Sequence, residues 1–236
     1  MFQKSHGVRT FAGWIFSVAL GHAGNAGHDQ APEVPAVPYP WAVEPWLEVA
    51  GAVGEGTLNP RLPFSSPVTD HVSGYRLSGG LSWAGGFSVE SRYESVENSA
   101  GDSTDQFRVV VDYRYEIGSG FTVLAGAGYG DLKIRTAADY FQMDADAVLL
   151  NAGLEYARGG FFGSVVYTQA FAKSASAEIL GDELSLEAED VGYLEGSLGY
   201  HFGHGFSAVV SLESQVFGNT VVERDWMATA GLRYRF

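Results

Sequence analysis

The 236-residue chain has no cysteine. That absence excludes disulfides, a thiol nucleophile, cysteine-ligated zinc and a lipid-bearing N-terminal cysteine. Proline is confined to the stretch from Pro32 to Pro67. Because proline removes a ladder donor, the proline-free remainder suits a region that is nearly all paired strand. No apolar run reaches the 18 or more residues of a transmembrane helix, although 46% of the residues are hydrophobic and 14% aromatic. If a bilayer is crossed, strands must cross it. Bases are scarce too: 14 Lys and Arg face 28 Asp and Glu, a net charge of −14. Such a balance argues against nucleic acid as a partner, since phosphate neutralisation needs a basic surface. G-x-S-x-G, H-E-x-x-H and P-loop motifs are all missing, and no cofactor or metal is expected.

What is present begins with a secretory signal over residues 1–26. Lys4 and Arg9 form a basic start, Phe11 to Leu20 an apolar core too short to span, and GHAGNAG a small-residue exit. Residues 27–45 form a proline-rich extended leader, with Pro32, Pro35 and Pro38 at every third position. The remainder, 46–236, alternates. Its last segment places Trp226, Ala228, Ala230, Leu232, Tyr234 and Phe236 on one face, and Met227, Thr229, Gly231, Arg233 and Arg235 on the other. This length matches the roughly 9–11 residues of a tilted membrane strand.

Ten such segments are expected, near 46–54, 74–83, 87–95, 105–116, 121–130, 146–157, 161–169, 191–202, 206–217 and 225–236. Short glycine-bearing links at Ala84–Gly86, Ile117–Gly120, Arg158–Gly160 and Gly203–Gly205 suit tight hairpins. They alternate with long connections at about 55–73, 96–104, 131–145, 170–190 and 218–224. In an antiparallel up-and-down β-barrel, all short turns then fall at one end and all long loops at the other. An even strand count puts both termini at the turn end, which a secreted outer-membrane protein keeps in the periplasm.

Charge within the segments keeps one parity: Glu48, Arg76, Glu90, Arg92, Glu94, Arg108, Asp112, Arg114, Glu116, Glu155, Glu195, Glu213, Arg233 and Arg235. The opposite parity is apolar, aliphatic in mid-strand (Val109, Leu150, Val165, Val210) and aromatic beside the turns (Trp83, Phe87, Tyr113, Phe121, Tyr156, Phe161, Tyr200, Phe206). Aromatics at strand ends are the girdle of a membrane–water boundary, so the apolar face is assigned to lipid. The charged face then lines a narrow lumen, where buried charges must pair. Structural Arg–carboxylate ladders are expected, with Glu90, Arg92 and Glu94 facing Arg108, Asp112 and Arg114. A pore-lining or proton-path role is the alternative.

With its terminal LRYRF, this architecture resembles the small bacterial outer-membrane β-barrel superfamily, the OmpA-like and opacity-type proteins. Their commoner members have eight strands, so eight is the alternative count. The resemblance implies a non-enzymatic envelope structural protein or adhesin. It also implies contact with outer-membrane lipid and lipopolysaccharide, an extracellular partner at the loops, and recognition of Tyr234 and Phe236 by the barrel-assembly machinery. A narrow channel for ions or small solutes is the first rival. An envelope enzyme, omptin-like or lipid-modifying, is the second; its candidates are Asp70, His71, Asp102, Asp105, Asp144 and Asp146, around which no omptin motif is found. The acidic stretch Ala170 to Asp190 reads as a solvated loop.

Overall fold

The computed structural model describes residues 43–58, 68–137, 141–179, 181–186, 189–218 and 222–236. The expected signal and nearly all of the leader lie outside these residues. The strands are β1 (Val43–Leu58), β2 (Val68–Trp83), β3 (Phe87–Asn98), β4 (Ser103–Gly118), β5 (Phe121–Arg135), β6 (Phe141–Arg158), β7 (Phe161–Ile179), β8 (Asp182–Ser185), β9 (Val191–Gly203), β10 (Phe206–Phe217) and β11 (Val222–Arg235). Each of β1 to β7 pairs antiparallel with the next, and β7 passes over β8 to pair with β9. The ring continues through β10 and closes where β11 meets β1, at Leu47↔Tyr234 and Val49↔Leu232. It is a closed barrel of ten strands, not eight. The short β8 is outside the ring and pairs with the overhang of β7 at Ser176↔Ser185.

The strands run further than the alternation suggests, and mostly toward the loop end. Val68–Ser73, Asp131–Arg135 and Ala170–Ile179, expected in loops, are strand. Lys133 and Lys173 fall in these overhangs, so the barrel strands are not free of lysine. At the other end, Val43, Glu44 and Pro45 open β1 rather than closing the leader. Strands of 12 to 19 residues exceed what a bilayer core needs, so the loop-end ladders continue beyond any membrane.

Four turns close the opposite end with one construction. Gly86, Gly120, Gly160 and Gly205 have φ of 88°, 83°, 88° and 80°. Each is followed by phenylalanine. The four glycine carbonyls accept the N–H groups of Arg114, Ala157, His201 and Arg235 at 2.7, 2.9, 2.8 and 2.8 Å. The rings of Phe87, Phe121, Phe161 and Phe206 pack on Tyr113, Tyr156, Tyr200 and Tyr234, with centroids 5.0, 4.7, 4.7 and 4.7 Å apart. A Cβ at Gly120 would stand 2.4 Å from the Ala157 carbonyl oxygen, so the close approach needs glycine. In two of these turns the preceding Ser119 and His204 also have positive φ, 56° and 52°, the paired left-handed geometry whose twist matches the flanking strands. Ile117, Gly118, Arg158 and Gly203 accordingly belong to strands rather than turns.

The two faces are inverted relative to a water-soluble protein. Leu198 is 68% exposed and Val49 60%, whereas Arg76 and Glu213 are 1% exposed. Burying charge while exposing valine and leucine is stable only where the surrounding solvent is itself apolar.

Candidate functional site: the charged lumen

The lumen is crossed by a layer of ion pairs. Arg76 on β2 donates from Nε to Glu94 Oε2 on β3 at 2.8 Å, and from Nη1 to Glu195 Oε1 at 3.0 Å and Ser211 Oγ at 3.1 Å. Arg92 on β3 donates to Glu195 Oε2 on β9 at 2.7 Å, and Arg108 on β4 to Glu213 Oε2 on β10 at 2.8 Å. In a ring of ten strands, β3 lies opposite β9 and β4 opposite β10. These two bonds therefore span the full bore. Arg224 completes the layer, its guanidinium 2.7 Å from Glu94 Oε1 and 2.6 Å from Glu213 Oε1.

The hairpin ladder expected between β3 and β4 does not form. Their register sets Arg92 opposite Arg108 and Glu90 opposite Val110. Like charges facing each other repel, so both arginines turn away from the hairpin and reach across the barrel instead. Within its own strand Arg92 is also 3.3 Å from Glu90.

Arg224 breaks the parity rule. In β11 the inward set is odd-numbered, yet Glu55 pairs with Trp226 and Gly56 with Arg224, skipping Asp225. That β-bulge inserts one residue and turns Arg224 inward. Lys173 is skipped in the same way in β7, between Asp146↔Ser174 and Ala147↔Ala172.

Toward the turns lie more local pairs. Arg233 donates from Nε to Glu48 Oε2 at 2.9 Å, with its guanidinium 4.5 Å from the Trp46 ring centre and 5.6 Å from that of Phe162. Arg114 donates to Glu155 at 3.0 Å and to the Ser88 hydroxyl. Arg235 and Glu44 approach at 3.6 Å at the rim, both exposed. Glu116 is exposed at the turn end and outside the layer. Asp112 is buried, and among the described residues its Oδ1 has no hydrogen-bond partner. Tyr234 packs edge-on against Phe236 at 4.9 Å, and the Phe236 N–H donates to the Pro45 carbonyl at 3.0 Å.

Large lumen side chains rest on glycines of neighbouring strands. A Cβ at Gly199 would meet the Phe162 ring at 2.1 Å, and one at Gly80 would meet Trp46 Nε1 at 2.8 Å. His201 stacks on Phe162 at 4.6 Å and shares a hydrogen bond with Ser207. Between this furniture and the ion-pair layer is a cavity of about 380 Å³. On the loop side of the layer, Ala52, Val96 and Met227 form an apolar cluster against Val72.

The protease-type candidates do not build one site. His71 pairs with Glu55 at 3.2 Å, and Glu55 also accepts from Trp226 Nε1 at 2.9 Å. Asp70 accepts the His71 N–H, Asp102 the Ala137 N–H and Asp105 the Tyr93 hydroxyl. Asp144 accepts from Gln142, and Asp146 from Tyr129 and Ser174. Each carboxylate is engaged locally. Those on Asp105, Asp144 and Asp146 sit on the outward parity of their strands.

No family model and no curated protein match the chain. Among solved structures it is similar to the outer membrane protease OmpT of Escherichia coli, at 9% identity and a TM-score of 0.50, covering 84% of this chain and 97% of that one. An outer membrane channel from Pseudomonas putida F1 is similar at 8% identity and a TM-score of 0.49, with 89% and 100% covered. Neisserial surface protein A gives 11% and 0.39, with 81% and 97% covered. By fold, the chain is a closed antiparallel β-barrel like that of the outer membrane protease. Likeness at these identities speaks to architecture alone, and neither the OmpA-like nor the opacity-type subgroup is singled out.

Proposed function

We propose that this barrel is sealed and non-enzymatic, that it sits in the bacterial outer membrane, and that it acts through its loop end as an envelope scaffold or surface-interaction protein. The observation that carries the reading is the pair of bonds between opposite strands, Arg92–Glu195 and Arg108–Glu213. A bore crossed by short ion pairs has no room for solute flow, and ten strands leave little width to begin with. The even strand number supports a periplasmic position for both termini and the four short turns. It leaves the longer, acidic connections to meet lipopolysaccharide and an extracellular partner. Tyr234 and Phe236, at the end of the closing strand, are the residues we assign to recognition by the assembly machinery.

Planar-bilayer recording tests the central point. The folded protein is expected to give no stepwise current, and regular unitary conductance would overturn the reading. Combined replacement of Arg76, Arg92, Arg108 and Arg224 by alanine is expected to produce conductance if the layer is the seal. A narrow solute channel is the second reading, favoured by the cavity on the turn side of the layer, with the ion pairs then serving as a gate.

A further inference from the structure

The turn-end cavity opens at the rim where the chain enters its first strand. We propose that it is the docking site for a segment of this same chain, the apolar part of the leader, with Tyr39 and its flanking prolines seated in the mouth. Such a contact goes beyond a scaffold role and does not depend on whether the barrel conducts.

Glu44 and Arg235 stand at the outer edge of the cavity, both exposed, and the Arg92 and Arg108 pairs form its floor. Trp46, Phe162 and Val166 line it and are only partly buried, so their apolar surface is open to an occupant. Two guanidiniums are open as well, the side chains of Arg114 and Arg233 each being 26% exposed. Arg114 commits Nε to Glu155 and Nη1 to Ser88, and Arg233 places Nε and Nη2 on Glu48. Each keeps a further terminal N–H pair for another acceptor. The mouth therefore presents apolar wall together with hydrogen-bond donors.

Val43, the first residue of β1, is at that rim. The stretch before it lies outside the described residues, and its sequence over 34–42 is VPAVPYPWA, with two aromatic rings and no charge. A spacer that remains in water is ordinarily polar, whereas this one gains by burial. Pro38 and Pro40 have no N–H, so the stretch around Tyr39 brings carbonyl acceptors and a single backbone donor. That is the complement of a wall with guanidinium N–H groups to offer.

Reach and size agree. Four residues of chain carry Tyr39 at most about 14 Å from Val43, and Trp46 lies about 10 Å inside the strand end. Trp41, at about 7 Å of chain from Val43, falls short of it. With liquid water occupying about 30 Å³ per molecule, a volume of about 380 Å³ holds on the order of a dozen water-sized groups, one tyrosine ring with a proline beside it. So short a tether gives the segment a millimolar effective concentration, at which modest contacts suffice.

The absence of cysteine lets single introduced thiols report the contact in the full-length, detergent-solubilised folded barrel. Pro38→Cys is expected to react with a bulky maleimide at least about tenfold more slowly than Gln30→Cys, farther along the leader. Adding Tyr39→Ser to Pro38→Cys should restore fast labelling. A short bis-maleimide is expected to join Pro38→Cys to Ser164→Cys on the cavity wall and not to Ser119→Cys on the exposed turn after β4. Equal labelling at 38 and 30, protection unmoved by Tyr39→Ser, or coupling to Ser119→Cys in preference to Ser164→Cys would each overturn the proposal. The heat-modifiable gel shift verifies folding, and should Ser164→Cys fail it, the labelling rates decide.

Discussion

Glu94 and Glu213 are each gripped by arginines from more than one strand, and both are almost wholly buried. Losing one partner from such a group costs far more than the pair contributes when intact, because the remaining charge cannot regain water. Arg224→Met is therefore expected to destabilise the barrel by roughly 3–5 kcal/mol, read as a lower urea midpoint in liposomes. Adding Glu94→Gln should recover part of that loss, and a double variant no more stable than the single one would deny the coupling. Glycine positions invert the usual expectation in the same lumen. Gly199→Ala drives a methyl into the Phe162 ring and should cost about 1–3 kcal/mol, with Phe162→Leu in the same chain relieving most of it.

The strands themselves were legible because a period of two with one greasy face has few readings, and because short turns alternated with long connections. Two things escaped that pattern. Overhangs such as Ala170–Ile179 carry alanine, serine and charge (Ala172, Lys173, Ser174, Ser176, Glu178) in place of an alternation with one large apolar face. The bulge at Asp225 changes parity within a strand, and nothing in the local residue order marks it. Arg224 was consequently assigned to a loop. Deleting the skipped Asp225 should leave Arg224 next to Trp226, opposite Gly56 and still inward, so the variant is expected to lose much less stability than Arg224→Met in the same urea assay. The four glycine–phenylalanine turns were visible as glycine, whereas their tyrosine partners lie 27 to 40 residues downstream (Tyr113 from Gly86, Tyr200 from Gly160) and needed the register. On the outer face, Val210→Lys in mid-β10 should cost about 2–4 kcal/mol in a bilayer, while a lysine at the exposed rim position Glu116 should be nearly neutral.

At the scale of the whole molecule, composition and faces foretold a barrel of about ten strands. Which carboxylate meets which arginine depended on the ring's diameter and register. No single hairpin holds that information, so the β3–β4 ladder was the natural but mistaken choice.

The ties between opposite walls have a consequence for assembly. Arg76, Arg92 and Arg108 come from the first four strands, while Glu195, Glu213 and Arg224 come from the last three. A nascent half-barrel leaves Arg108 without either of its carboxylates, and Arg76 and Arg92 with only Glu94 and Glu90, until the chain's final segment arrives. Closure should then be all-or-none: a truncation ending at Gly203 is expected to yield no compact band on unheated gels, rather than a smaller stable intermediate.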